Sequence, residues 1–408
     1  MGRILNLLNH IVTQRIIVKK NIIFLLVCIL FVSSCENGPN SDQESENKYL
    51  LTSTYLKSMP AAAIQVIIGG FANGIVLNDK NDVDIYKIEY NTTDIAGDAI
   101  IASGAIIVPQ GSNEYPILSY QHGSLHKQSD APSEYDTGVE VTRLATGFAG
   151  GGYVVVVPDY LGYGSSSDYP HPYEHAKTLA STSFDMLQAA YEFIDENDIQ
   201  ISEKLFLTGY SEGGFATMAL HKYIEDNSDI VVTMSAPASG AYNKTAFSLN
   251  VLQQDKNLSF LSNYMWVVDT YNWIYDINRR WDQIVNSTDA QTLNSVTNPK
   301  TFHEADISSN PSDLFLPNFI NGIVAGSDTE FIGALADNDI YDWYPKYPIT
   351  LYYGTLDDFV FPLNSTTAYD AIKANGGNIT KKGFPLLNHS TLVPFYLYDV
   401  FNLFESLK

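Results

Sequence analysis

Short apolar runs alternate with amphipathic stretches along this chain from about residue 83 onwards. Apolar runs bounded by Gly, Pro, Asn and Asp predict strands, and apolar positions spaced three and four apart predict helices. The run Tyr153–Val157 is apolar throughout, as expected of a central strand that is covered on both faces. Strands that alternate with helices predict an α/β protein with a mostly parallel central sheet.

The same pattern gives approximate bounds for the core elements. The predicted strands are Val83–Tyr90, Ala99–Val108, Pro116–Gln121, Tyr153–Val157, a run beginning near Lys204, Ile230–Ser235, Ile349–Tyr353 and Ile379–Phe384. The first two should form an antiparallel pair at the sheet edge, because only a turn-rich stretch separates them. The predicted helices cover about Lys177–Asn197, Glu212–Asp226, Ser365–Ala374 and Ser390–Leu407.

Residues 241–347 break this rhythm, because helical and loop patterns replace strands there. All tryptophans of the chain lie in this block: Trp266, Trp273, Trp281 and Trp343. An aromatic-rich helical insertion after the sixth predicted strand favours a cap over a pocket, although its aromatics could also form a core of their own. We therefore predict a core in two parts, 49–240 and 348–408, separated by a helical cap at 241–347.

The segment Gly209–Gly213, with Ser211 at its centre, joins an apolar strand pattern to an amphipathic helix pattern. This is the G-x-S-x-G pattern of a nucleophile elbow in its strand–turn–helix context. Such a serine occupies a strained turn that lifts its hydroxyl clear of the sheet, and the flanking glycines avoid clashes with neighbouring backbone. The alternative is a glycine-rich turn whose serine only caps the helix.

A general base for Ser211 should follow it in the chain, because such sites use the order Ser, Asp or Glu, His. His389 is our candidate, since it lies between the last predicted strand and the last predicted helix. His303 falls inside the predicted cap, and His221 lies on the helix directly behind the serine.

The acid candidate is Asp357, which follows the predicted strand Ile349–Tyr353 and a glycine turn. An aspartate there would fix the tautomer of the histidine and stabilise the imidazolium that forms during the reaction. The neighbouring Asp358 is the second choice.

An oxyanion hole needs two backbone N–H groups that point at the developing charge. Glu212 supplies the first candidate, because it follows the serine at the start of the predicted helix. Ser124 supplies the second, with Leu125 as its alternative, because a His-Gly pair ends the third predicted strand.

Several segments together resemble the secretory lipases and related esterases of the α/β-hydrolase superfamily. They are YQHGS (120–124), PDYLGYGSS (158–166), HPYEHAKTLASTSFDMLQAA (171–190), GYSEGG (209–214) and YGTLDDFVFPLNS (353–365). The resemblance covers roughly residues 80–240 and 345–400. It implies the α/β-hydrolase fold and a serine hydrolase that cleaves carboxylic esters through an acyl-enzyme, without a metal or an organic cofactor.

Two alternative functions stay open at this point. The elbow and the GTLDD segment also resemble prolyl-oligopeptidase-type peptidases. Fewer than fifty residues separate the tether from the first predicted strand of the sheet, however, which is too few for a β-propeller. A non-catalytic surface-binding lipoprotein on the same fold is the other alternative, because fold does not imply function.

The spacing of His171 and His175 could suit zinc, but Pro172 and the lack of a third ligand favour a structural role, so we predict no metal.

The amino terminus predicts export. Basic residues precede the eleven-residue apolar run Ile22–Val32, which is typical of a signal peptide and short for a membrane anchor. The following Val32–Cys35 resembles a bacterial lipoprotein signal, with an ordinary secretion signal as the alternative. We therefore expect a signal peptide at 1–34, lipidation of Cys35, a disordered acidic tether at 35–48, and a lipid anchor at the outer membrane or cell surface of a bacterial envelope.

Cysteine content and charge agree with this picture. The chain has two cysteines, Cys28 and Cys35, so the predicted mature domain has no internal disulfide. The net charge of −23 argues against nucleic acid as a partner, because phosphates would be repelled. The expected partner is an ester substrate. The sequence specifies neither its acyl and alcohol groups nor the oligomeric state of the protein.

Overall fold

The computed structural model describes residues 48–408, except for 72–74, 76, 78–79 and 137. The predicted signal peptide, the lipidation site at Cys35 and all but the last residue of the predicted tether lie outside the described residues. Of the residues that the structure describes, none forms a helix long and apolar enough to cross a bilayer.

In the described part of the chain, nine strands form one sheet in the order β1-β2-β3-β5-β4-β6-β7-β8-β9. The strands are β1 Leu50–Met59, β2 Val83–Thr93, β3 Ala99–Pro109, β4 Tyr115–Gln121, β5 Val154–Pro158, β6 Ile201–Tyr210, β7 Met234–Ala238, β8 Ile349–Gly354 and β9 Ile379–Phe384. The pairs from β1 across to β5 are antiparallel, and every pair from β5 across to β9 is parallel. The prediction of a mostly parallel sheet is confirmed.

The α-helices of the described residues follow most of these strands. They are α1 Ala61–Phe71, α2 Glu140–Gly150, α3 Ala176–Glu196, α4 Glu212–Asn227, α5 Lys244–Leu252, α6 Leu261–Ile274, α7 Ser287–Ser295, α8 Pro311–Leu314, α9 Pro317–Val324, α10 Thr329–Asp337, α11 Leu363–Ala374 and α12 His389–Glu405. The four predicted core helices correspond to α3, α4, α11 and α12.

Helices cover both faces of the sheet, and the valines of β5 contact both layers. Val155 and Val157 belong to a buried cluster with residues of α1, α2 and α12. Val154 and Val156 belong to a second cluster with residues of α3 and α4. Because successive side chains of a strand point to opposite faces, an uninterrupted valine run requires two apolar layers.

Two predictions about the strands are wrong. The β2/β3 pair does not lie at the edge, because β1 pairs with β2 outside it. Most of β1 is exposed, so its sequence lacks the apolar alternation that would have revealed it. The strand expected at Ile230–Ser235 is found at Met234–Ala238, where the small buried residues allow close approach of α4.

The helical insertion follows β7. This strand corresponds to the sixth predicted strand, since β1 is not predicted from the sequence. Between β7 and β8 the structure has α5–α10 and short 3-10 helices, with one isolated bridge between Val285 and Phe315. Met265, Trp266 and Leu314 are buried in a cluster formed mainly within this block. The aromatic residues therefore do build a core of their own, and the bounds 241–347 stay a prediction.

Candidate active site

Ser211 lies in the turn between β6 and α4, at the carboxyl end of a central strand. Its φ of 59° and ψ of −122° are unfavourable for a residue with a side chain. The turn is held because the Ser211 amide donates to the carbonyl of Ala238 (3.0 Å) and its carbonyl accepts from the amide of Phe215 (3.1 Å). Among the described residues, the Ser211 hydroxyl accepts no hydrogen bond from the amides of α4, which argues against a capping role.

The two flanking glycines allow this turn to pass against β4. A Cβ atom on Gly209 would come within 2.4 Å of the Gln121 carbonyl oxygen, and one on Gly213 within 2.1 Å of the same oxygen. Real Cβ atoms do not approach backbone oxygens this closely. The expected steric reason for glycine at both positions is confirmed.

We expect Gly213→Ala to lower the free energy of unfolding by roughly 1–3 kcal/mol, because the backbone of Gln121 has to move. Chemical denaturation of the variant measures this loss. Gly333→Ala is the matched control, since nothing lies within 4 Å of its added Cβ on α10. The control should keep or gain up to about 1 kcal/mol, as alanine is the better helix former. Equal stabilities of the two variants would contradict the steric argument.

The side chains of Ser211, His389 and Asp357 form a continuous hydrogen-bonded chain. His389 Nε2 lies 3.0 Å from Ser211 Oγ, and its Nδ1 lies 2.9 Å from Asp357 Oδ2. His389 and Asp357 are buried, with 8% and 2% of their surface exposed. The structure thus brings together the three residues that the sequence singled out.

Local structure holds Asp357 and His389 in this arrangement. Asp357 Oδ1 accepts hydrogen bonds from the amides of Phe359 (3.1 Å) and Val360 (2.8 Å), so its other oxygen is aimed at His389. His389 opens α12, and the side chain of Asn388 caps that helix by accepting from the Thr391 amide at 3.0 Å. Asp358, the second choice for the acid, is exposed.

The other candidate histidines bind elsewhere. His303 lies on the 3-10 helix Pro299–Glu304, where its Nδ1 is 3.0 Å from the Lys300 carbonyl. His221 is buried on α4 between Ser235 Oγ (2.6 Å) and Glu225 Oε1 (2.9 Å), and burial lowers its pKa. Neither histidine hydrogen-bonds to Ser211.

Two backbone amides beside Ser211 are candidates for binding an oxyanion, one adjacent to it in the chain and one on the segment after β4 that lines the same cleft. Glu212 is the first residue of α4, and Ser124 follows β4 in a turn that passes beside Ser211. A Cβ on Gly123 would lie 3.8 Å from the Cβ of Ser211. Neither the Ser124 nor the Glu212 amide donates a hydrogen bond to any residue that the structure describes. Their role in binding an oxyanion stays a prediction.

A mostly apolar cavity extends from Ser211 into the helical block. Its empty space, including the open mouth, is about 880 Å³. Its wall is built mainly from α5, α6, α9 and α10 and includes Phe247, Val251, Val267, Phe319, Ile323 and Leu335. Such a lining suits a hydrocarbon chain or an aromatic ring.

A second, more open cleft of about 1300 Å³ also reaches Ser211, together with His389 and the turn at Ser124. Phe359 lines both spaces and packs edge-on against the His389 ring, with centroids 4.8 Å apart. The cleft also includes the exposed side chain of Glu140. An apolar space and a partly polar space therefore meet at the serine.

Solved structures share this architecture over most of their length. A protein described as a hydrolase from Legionella pneumophila has a TM-score of 0.79 at 26% identity, over 88% of this chain and 98% of its own. The rice cell wall degrading esterase LipA from Xanthomonas oryzae has a TM-score of 0.75 at 23% identity, over 89% and 100%. Candida antarctica lipase A has 0.60 at 17% identity, over 88% and 84%. The chain has the α/β-hydrolase fold.

The model of the secretory lipase family matches residues 127–226 of the chain, which include the elbow at Ser211. The predicted resemblance to secretory lipases is thereby confirmed for this segment. None of the curated proteins matches the sequence. The matches support a hydrolase of carboxylic esters, and the description of the family favours export.

A buried pair beside the elbow has no signal in the sequence that could have predicted it. Glu212 Oε1 lies 2.8 Å from His171 Nε2, while His171 Nδ1 lies 2.7 Å from the Leu161 carbonyl and donates to it. One proton must therefore lie between the carboxyl group and Nε2. His175, by contrast, is the N-cap residue of α3 and contacts Thr178 Oγ1 at 3.1 Å.

His171 and His175 therefore contact different partners and do not form a pair of zinc ligands. A zinc site with this spacing needs both histidines on one helix, whereas His171 precedes α3. Among the described residues, no group of three His, Cys, Asp or Glu side chains could hold a metal ion.

Proposed function

We propose that this protein hydrolyses carboxylic esters through an acyl-enzyme intermediate on Ser211. The observation that carries the proposal is the hydrogen-bonded chain from Asp357 through His389 to Ser211, at the point where two cavities meet. The Asp357 carboxylate accepts Nδ1–H, so the lone pair of Nε2 faces the serine hydroxyl.

The reaction follows from this geometry. His389 Nε2 takes the proton of Ser211 Oγ while Oγ attacks the ester carbonyl carbon and forms a tetrahedral intermediate. When the intermediate collapses, the carbon–oxygen bond to the alcohol breaks and His389 returns the proton to the leaving alcohol. A water molecule then repeats the sequence on the acyl-enzyme, and Ser211 regains its proton from His389.

We assign the oxyanion to the amides of Ser124 and Glu212, which have no hydrogen-bond partner within the described chain. The Glu212 amide lies at the N-terminus of α4, where the helix dipole favours negative charge. Preorganised amides of this kind stabilise the transition state more than the substrate, because charge develops on the oxygen only during attack.

We further propose that the apolar cavity takes the acyl group and the open cleft takes the alcohol. Side chains such as Val251, Phe319 and Ile323 favour this assignment, because they would bury methylene groups. The cleft has polar side chains and a wide opening, which suits a leaving group that returns to solvent.

A panel of p-nitrophenyl esters from acetate to palmitate, combined with a fluorophosphonate label, tests this function. We expect labelling at Ser211 and a kcat/KM that rises beyond acetate, because each buried methylene contributes about 0.8 kcal/mol. Aminoacyl amides assayed in parallel should turn over more slowly than esters. A protein that is neither labelled nor active would contradict the proposal and favour a binding protein instead.

We also propose that the chain is exported as a lipoprotein acylated at Cys35 and held at the outer membrane or cell surface of a bacterium. The short apolar run Ile22–Val32 and the segment before Cys35 support this. We expect Cys35→Ser to shift the protein from the membrane fraction to the soluble fraction after expression in a bacterium. Cys28→Ser is the matched control, and equal membrane association of both variants would contradict lipidation at Cys35.

A further inference from the structure

Glu174 and Lys244 form an ion pair in the wall of the apolar cavity. Lys244 Nζ donates to Glu174 Oε2. The side chain of Lys244 is only 2% exposed and that of Glu174 only 9%. Both residues line the same cavity as Ser211. They introduce two opposite charges into a lining that is otherwise mainly aliphatic and aromatic.

The backbone holds both partners in place. Glu174 has a φ of 52°, which is unusual for a residue with a side chain, and its carbonyl accepts a hydrogen bond of 2.9 Å from the Tyr271 hydroxyl. Lys244 is the first residue of α5, a helix capped by Asn243, whose side chain accepts from the Ala246 amide at 2.9 Å. The pair therefore joins the core segment before α3 to the first helix of the inserted block.

Burial of this pair is costly, and its hydrogen-bonding capacity is incompletely used. Burial raises the pKa of Glu174 and lowers the pKa of Lys244, and each partner offsets part of the effect on the other. Lys244 Nζ also lies 4.0 Å from the centre of the Phe215 ring. Within the described chain, Glu174 Oε1 accepts no hydrogen bond, and Lys244 Nζ donates none beyond the one to Glu174.

Stability alone does not explain such a pair, because apolar residues of similar volume would often stabilise a protein equally well or better. An acceptor and a donor side by side match one hydroxyl group, which can donate to Glu174 and accept from Lys244. A charged substituent would match the pair less well, since it would leave one like charge opposed in a poorly solvated site.

We propose that Glu174 and Lys244 bind a hydroxyl group on the acyl part of the substrate, so that the enzyme prefers esters of hydroxy acids with an otherwise apolar skeleton. This inference rests on the proposed function, because it requires the acyl group of the Ser211 intermediate to occupy the apolar cavity.

Matched ester substrates test the inference on the full-length protein. Ethyl hexanoate is compared with ethyl 3-hydroxyhexanoate and ethyl 6-hydroxyhexanoate, which place the hydroxyl at two depths of the cavity. We expect kcat/KM for at least one hydroxy ester to exceed that of ethyl hexanoate by on the order of 10–100-fold, as for hydrogen bonds to charged groups. The double variant Glu174→Gln/Lys244→Met should lose this preference and retain hydrolysis of ethyl hexanoate.

The control is Lys222→Met/Asp226→Asn, which removes an exposed ion pair of 2.6 Å on α4 and should keep the preference. Equal losses on plain and hydroxy esters in the Glu174/Lys244 variant would indicate a structural role and overturn the inference. A wild-type protein that is labelled at Ser211 and hydrolyses all three esters alike would overturn it too, while the proposed function stands. That wild-type comparison does not depend on the folding of any variant. Absence of both label and turnover would overturn the proposed function and the inference with it.

Discussion

Replacing Ser211 with alanine is expected to lower kcat for ester hydrolysis by about 10⁶-fold, the magnitude seen when a serine nucleophile of this type is removed. The variant has no oxygen to attack the carbonyl, and His389 Nε2 then faces a methyl group instead of a hydroxyl. Substrate binding should change little, because the cavity wall and the two oxyanion amides remain.

The measurement is kcat on p-nitrophenyl butyrate, together with fluorophosphonate labelling and thermal unfolding of the same samples. Ser248→Ala is the matched control, because Ser248 lines the same cavity on α5 and has no role in the proposed mechanism. We expect the control to be labelled and active and the Ser211 variant to be neither, at similar melting temperatures. Turnover that survives in the Ser211 variant would rule out this serine as the nucleophile.

The elbow could be predicted because its local sequence has to satisfy strong local constraints. Glycine is required at positions 209 and 213 because a Cβ there would lie less than 2.5 Å from the Gln121 carbonyl oxygen. The resulting G-x-S-x-G pattern lies between a strand pattern and a helix pattern. Asp357 and His389 could be predicted for another reason. The loops at the carboxyl ends of parallel strands meet at one edge of the sheet, so chain order alone narrows the candidates.

The features that the sequence did not reveal depend on distant contacts or on weak local patterns. The pairs Glu212–His171 and Glu174–Lys244 join segments that are 41 and 70 residues apart, and no local periodicity specifies such pairings. Strand β1 was missed because an exposed edge strand needs no apolar alternation. Individual polar partners inside a cavity therefore emerge only when the fold is known.

These two groups of residues have different effects on function. In the proposed mechanism, Ser211, His389 and Asp357 act on the ester bond that is broken, and this chemistry serves esters of many acids. In our proposal, substrate choice depends on the side chains of the inserted helices and on buried polar groups such as Glu174 and Lys244, which line the apolar cavity. Motifs around the elbow therefore indicate the reaction class, while in our proposal the acyl group is selected by residues that belong to no motif.

Asp357→Asn is expected to lower kcat by about 10⁴-fold and to leave the positions of the three side chains nearly unchanged. The carboxylate oxygen that accepts from the amides of Phe359 and Val360 must remain an acceptor, so the asparagine carbonyl takes that position. Its NH₂ group then faces His389 Nδ1. Histidine is forced into the tautomer with hydrogen on Nε2, and it can no longer accept the proton of Ser211.

Asp358→Asn removes the same charge from the adjacent residue and is the matched control. Asp358 is exposed, so its charge is screened by solvent and its side chain is not needed to orient His389. We expect kcat of this variant to stay close to that of the wild type on p-nitrophenyl butyrate, while the Asp357 variant loses nearly all activity. The reverse order of the two activities would assign the acid to Asp358. Equal and small losses would mean that His389 is oriented without a carboxylate, which would contradict the role proposed for Asp357.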